Sequence, residues 1–301
     1  MKFPVLRLLC GALCPLTLLM PSTESDAQTK APGAATNKET VVFAVKKYEA
    51  TQTMEPVVIV RRGVFVKPPV DESDVTGGDI EAQSKRFINE YFRAGRQYRL
   101  LFGGGDSGTV TVRKYLEPGC VSMVAEVKAE TQARLGGEVQ ALAVSSDTVG
   151  RGRQSSRRAP TEAERASALE LVRAAFARNA VPAALVKKME TLNLTASDLD
   201  RDGRAELVGS FRAVGPDYTN YALFMIFEPA GDKFKPALTW YHKGAEADAA
   251  DRRLVDLLDL DGDGVAEVFA EGHYYESNDY FIYKKQRGQW RSVYQGGGGG
   301  C

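Results

Sequence analysis

"DLDGDGVAE", residues 259–267, sets four acids in nine positions and folds a glycine between two of them. Sixty-one residues earlier the chain reads "DLDRDGRAE", residues 198–206, identical at seven of the nine positions. Carboxylates at positions 1, 3 and 5 point inward only if the backbone coils tightly. The glycines at position 6, Gly203 and Gly264, permit that coil through positive φ. Clustered carboxylates repel one another unless a cation neutralises them. A hard ion that takes about six to eight oxygens, calcium, suits such a set. An EF-hand places a bidentate glutamate at position 12, but position 12 here is Gly209 or Ala270, and strand-like sequence follows at once. Both stretches therefore read as D-x-D-x-D-G-x-x-E turns of β-hairpins. The expected ligands are Asp198, Asp200, Asp202, the carbonyl of Arg204 and Glu206 in the first loop. In the second they are Asp259, Asp261, Asp263, the carbonyl of Val265 and Glu267.

Each loop opens a similar unit over residues 195–301. A strand follows ("AELVGSF", "AEVFAEGHYYE"), then an aromatic strand ("YALFMIF", "YFIY"), a charged turn and a last strand ("LTWYHKG", "WRSVYQG"). Repetition at about sixty residues is the mark of stacked β units such as propeller blades. Upstream, Thr161 and Glu164 form a capping-box signature that starts a helix carrying Leu169, Val172 and Phe176 on one face. A second short helix is expected after Pro182 with Leu185, Met189 and Leu192, giving a helical segment over 161–194. Residues 41–149 read as a β-rich antiparallel domain ("VVIV", "GVFV", "YRLLF", "TVTVRKY", "EVQALAV"). It is interrupted by one helix, "EAQSKRFINEYFRAG", with Phe87, Tyr91 and Phe92 on one side. The basic stretch 150–160, "GRGRQSSRRAP", is a linker or exposed loop whose arginines are solvated or meet an anionic surface. The fold class is mainly β (α+β).

Residues 190–301 resemble the FG-GAP repeats of integrin α-subunits and their bacterial VCBS-like relatives. The resemblance rests on the two acidic loops, the repeat layout and the "ELVGSF" strand, in which Leu207, Val208 and Gly209 match the family's apolar-apolar-Gly pattern. The second copy, "EVFAEG", departs from it. The resemblance implies structural calcium ions, propeller-blade-like sheets and a partner that is a protein or a cell-surface glycan. Two units are too few to close a propeller, so a partial one with its edges covered by the helices or the N-terminal strands is expected. The chain as a whole is similar to secreted bacterial proteins.

Lys2 and Arg7 precede the apolar run Leu8–Met20, and a polar stretch with Ser25 and Ala27 follows. This is the layout of a signal peptide over 1–27, and residues 28–40 read as a disordered leader. The expected location is periplasmic or extracellular, and no later segment is long and apolar enough to span a bilayer. The mature chain keeps Cys120 and Cys301, which are either one disulfide or two unrelated thiols. The glycine run Gly296–Gly300 is expected to act as a flexible leash for the terminal thiol. A formal net charge of zero gives no bulk attraction for nucleic acid.

Two features suggest enzymes. "GGGDSGT", residues 103–109, contains a Gly-Asp-Ser-Gly segment like that of trypsin-type proteases, yet both histidines, His242 and His273, lie downstream of the serine. Its glycine spacing also matches a dinucleotide fingerprint, but a strand follows where a helix is needed, so it reads as a hairpin turn. The acidic "DESDVTGGDIE", residues 71–81, has irregular spacing for a third cation site. A non-catalytic calcium-binding module is the leading reading, and a secreted hydrolase with its site in the N-terminal domain is the alternative.

Overall fold

Strand β1 (Thr40–Tyr48) shows how this molecule is layered, because its run "VVFAV" is buried on both faces. A computed structural model of the chain describes residues 39–70, 79–117, 122–137 and 139–300. The signal peptide, most of the leader, Cys120, Cys301 and residues 71–78 of the acidic stretch lie outside the described residues. Val41, Phe43 and Val45 point into one core, while Val42 and Ala44 point into a second. Period-two alternation thus serves two cores at once.

The first core fills an antiparallel barrel. Its strands are β1, β2 (Thr51–Arg61), β4 (Gln97–Phe102), β5 (Gly105–Leu116), β6 (Val124–Thr131) and β7 (Ala141–Val144), in the order β1-β7-β4-β5-β6-β2. The β1–β2 hairpin closes the ring, and β3 (Val64–Val66) is added beside β2. Helix α1 (Ile80–Tyr91), N-capped by Asp79, packs against this core. Phe87, Tyr91 and Phe92 surround Phe43 with ring centroids 5.9–6.4 Å away, and Tyr98 stands at 5.1 Å. The expected aromatic face of this helix is present.

Two four-stranded antiparallel meanders follow. The first comprises β8 (Glu190–Ser197), β9 (Glu206–Val214), β10 (Asn220–Ala230) and β11 (Lys233–Gly244). The second comprises β12 (Asp251–Leu258), β13 (Glu267–His273), β14 (Ser277–Gln286) and β15 (Gln289–Gly300). The meanders pack face to face through Val208, Phe224 and Ile226 against Leu254, Val268, Phe281 and Tyr283. The other face of the second meander lies on the barrel wall, and the other face of the first is covered by α2 (Glu162–Arg178) and α3 (Ala183–Val186). The helices and the barrel therefore cover sheet faces, because their apolar stripes need broad apolar partners. The capping box is formed: Glu164 N–H donates to Thr161 Oγ1 at 3.3 Å and Thr161 N–H to Glu164 Oε2 at 2.7 Å. The second helix is a single turn, shorter than its apolar spacing suggests. Met189 follows it, and Leu192 already belongs to β8, whose pairing with β9 claims the backbone from Glu190 onward.

Two expectations are corrected by packing. The glycine run 296–300 is not a leash but the end of β15, paired with β14 from Gly296 opposite Tyr280 to Gly300 opposite Ser277. It passes so close to β2 that a Cβ on Gly297 (φ 68°) would come within 2.8 Å of the carbonyl oxygens of Pro56 and Val57. The basic stretch 150–160 is an exposed loop over most of its length, as read, but one of its arginines is not solvated. Arg157, with its side chain 5% exposed, donates to Asp256 Oδ1 at 3.0 Å, Val255 O at 3.0 Å and Gln140 O at 3.2 Å, and lies over the Phe102 ring. Asp256 is wholly buried and also accepts the Gly103 N–H at 2.9 Å. Burial pushes its carboxyl up to about 6, with Arg157 and the Gly103 N–H pulling the other way.

Arg157→Ala should cost about 3–5 kcal/mol in chemical denaturation, because it strands a buried carboxylate. The double change Arg157→Met with Asp256→Leu should recover most of that loss. Gly297→Ala should destabilise by about 2–4 kcal/mol from positive φ and crowding combined, measured the same way.

Candidate metal centre

The acidic loops are the connections β8–β9 and β12–β13, at the same place in both meanders. A shared set of hydrogen bonds builds them. The position-1 aspartate accepts the N–H of the position-6 glycine: Gly203 to Asp198 at 3.1 Å and Gly264 to Asp259 at 3.0 Å. The position-5 aspartate accepts the N–H of position 7: Arg204 to Asp202 at 2.8 Å and Val265 to Asp263 at 2.9 Å. The position-9 glutamate folds back to the N–H of position 2: Leu199 to Glu206 and Leu260 to Glu267, both at 2.8 Å. Gly203 and Gly264 take φ of 85° and 99°, as the coil requires. Position 4 is left-handed as well, with Gly262 at 79° and Arg201 at 60°.

This frame brings together three carboxylates per loop. Oxygens of Asp198, Asp200 and Glu206 lie within 4.8 Å of one another, as do those of Asp259, Asp261 and Glu267. Asp202 and Asp263, expected among the ligands, stay outside these triads and cap the loop backbone instead. The Oδ1 atoms of Asp198 and Asp200 are buried and accept no hydrogen bond from the protein. Three carboxylates per loop, with orphaned oxygens in the first, form an all-oxygen donor set of the kind a hard metal ion takes.

Tertiary packing sets the loops side by side, which the chain order does not reveal. Ala266 N–H donates to Leu199 O at 2.8 Å. Arg201 of the first loop reaches Asp259 of the second at 2.9 Å, and Arg153 joins it at 2.8 Å. Lys284 on β14 contacts Asp261, Asp263 and Glu267, while Lys285 bridges Asp200 and Glu228. A cleft of about 320 Å³ opens beside the first loop, lined by Gly103, Arg153, Ser156, Asp198, Arg201 and Leu257. Arg153, Glu228, Lys284 and Lys285 escaped the sequence reading because their approach to the loops depends on sheet register and on the stacking of sheets.

The two features that suggest enzymes have other partners. Ser107 Oγ lies 3.0 Å from Thr131 Oγ1, and Asp106 is held by Arg99 and the Gly152 N–H. "GGGDSGT" forms the β4–β5 turn and the start of β5, as read. His242 Nε2 sits 2.6 Å from Asp248 O, and its ring stacks on Trp240. His273 Nε2 lies 3.2 Å from Glu271 Oε2, in a network where Lys46 bonds Glu271 and Glu55, and Gln140 donates to Glu271 at 2.8 Å. No helix among the described residues is long and apolar enough to cross a membrane. No protein-family model, no curated protein and no solved structure matches this chain.

Burial pushes the carboxyls of Glu206 and Glu267 from 4.5 up to about 7, with Asp200 and Asp202 adding repulsion at the first and Asp261 at the second. Folded protein without a divalent ion therefore holds more protons than the unfolded chain between those values. The stability these two groups contribute is full below 4.5 and is lost as pH rises through about 7. In chelator the melting temperature should fall from about pH 5 to pH 8, and Glu206→Gln with Glu267→Gln should flatten that slope.

Proposed function

We propose that this is an exported, non-catalytic calcium-binding protein whose two meanders are FG-GAP- or VCBS-like, blade-like repeats. It serves as a binding module for another protein or a cell-surface glycan. One observation carries the calcium reading: the same acidic loop recurs at the same joint of both meanders, and each gathers three carboxylates on a shared backbone frame. Face-to-face stacking of the meanders supports the blade-like reading, since blades bury their faces in the same way. The ions act structurally, holding together loops whose charges otherwise repel. Export rests on the charge and apolar pattern of residues 1–27. The partner class rests on the family resemblance. The exposed Tyr274 and Tyr275, between β13 and β14, supply aromatic surface of the kind that binding modules use.

Thermal unfolding in calcium and in chelator tests this. Calcium should raise the stability of the wild-type chain by about 1–3 kcal/mol when the free ion exceeds Kd by about five- to a hundredfold. It should leave Asp200→Ala with Asp261→Ala unmoved. A wild-type chain indifferent to calcium sinks the reading.

A further inference from the structure

The loops share a backbone and differ in the charge around them. In the β9–β10 ladder Leu207 pairs with Phe227, so the next step sets Glu228 opposite Glu206. In the β13–β14 ladder Val268 pairs with Tyr283, and the same step sets Lys284 opposite Glu267. One structural position therefore holds an acid in the first meander and a base in the second.

Lys284, with its side chain 16% exposed, places Nζ 3.0 Å from Asp263 Oδ2 and 3.0 Å from Glu267 Oε1, and also bonds Asp261. Asp259, the remaining acid of that loop, is covered by Arg153 and Arg201. Four carboxylates thus face three cationic groups. Around the first loop stand five acids: Asp198, Asp200, Asp202, Glu206 and Glu228. Lys285 reaches two of these, Asp200 at 3.2 Å and Glu228 at 3.0 Å, and Lys235 approaches Glu228 at 3.5 Å. The orphaned Oδ1 atoms also belong to this loop.

We propose that Lys284 is the built-in counter-cation of the second loop, so that calcium fills the first loop tightly and the second only by displacing this lysine. The inference rests on the calcium reading of the loops. An ion entering the first loop neutralises charge that the protein leaves unmet. An ion entering the second must break three ammonium–carboxylate contacts, which are stronger in a half-buried site than in water. Lys284 then sets the order of occupancy of two otherwise matching loops.

Calcium calorimetry on the full chain decides the matter, comparing wild type with Asp200→Asn, Asp261→Asn, Lys284→Met and Lys284→Gln, each checked for folding by thermal melt. The wild type should bind one ion tightly and a second about tenfold or more weaker. Asp200→Asn should abolish the tight site and Asp261→Asn should spare it, while both Lys284 variants should tighten the weak site by about tenfold or more. Two equally tight ions in the wild type overturn the order but leave the calcium reading standing. Folded Lys284 variants with an unchanged second site do the same. Absence of calcium binding in every protein overturns the calcium reading and this inference with it.

Discussion

The buried pair Asp256–Arg157 is the constraint on which the arrangement of layers depends. A carboxylate without solvent access survives only if its charge and lone pairs are met. Asp256 meets them with Arg157 and with the N–H of Gly103 at the β4–β5 turn. Arg157 also donates to carbonyls of Gln140, just before β7, and of Val255 on β12. Three parts of the chain, the barrel, the basic stretch and the second meander, are thereby brought to a single point. Apolar burial holds the layers together, but apolar contacts tolerate sliding, whereas a satisfied buried charge admits one geometry.

That geometry also positions the acidic loops. Asp256 stands three residues before Asp259, and Arg157 four residues after Arg153, so anchoring one pair presents the other. Arg153 reaches Asp259 because its segment is pinned at Arg157. Arg201 reaches the same carboxylate from the neighbouring loop because the two meanders stack in register. The two loops are consequently joined to each other and, through Arg153, to the segment that Arg157 pins against the barrel.

A second polar network, centred on Lys46, Glu55 and Glu271, ties the barrel to the second meander elsewhere, with Tyr280 donating to Glu55 at 2.6 Å. The glycine end of β15 fits the same interface by shape alone. Where β15 passes over Pro56 and Val57 there is no room for side chains, so a run that composition marks as flexible is held as a strand.

The residues alone determined much of the local chemistry. The acids and glycines of both loops, the capping box at Thr161, the aromatic face of α1 and the β-rich character all follow from short-range rules of spacing and conformation, and the structure contains each of them. What the residues left open were matters of long-range pairing. β8 and β12, the first strands of the meanders, carry apolar patterns that helices share, and only their ladders to β9 and β13 decide the outcome. The burial of Arg157, the pairing of Gly296–Gly300, the neighbourhood of the two loops and the opposite charges at Glu228 and Lys284 were decided by tertiary structure. Each depends on which surfaces meet, and a side chain's partners across a sheet or between layers have no fixed separation along the chain.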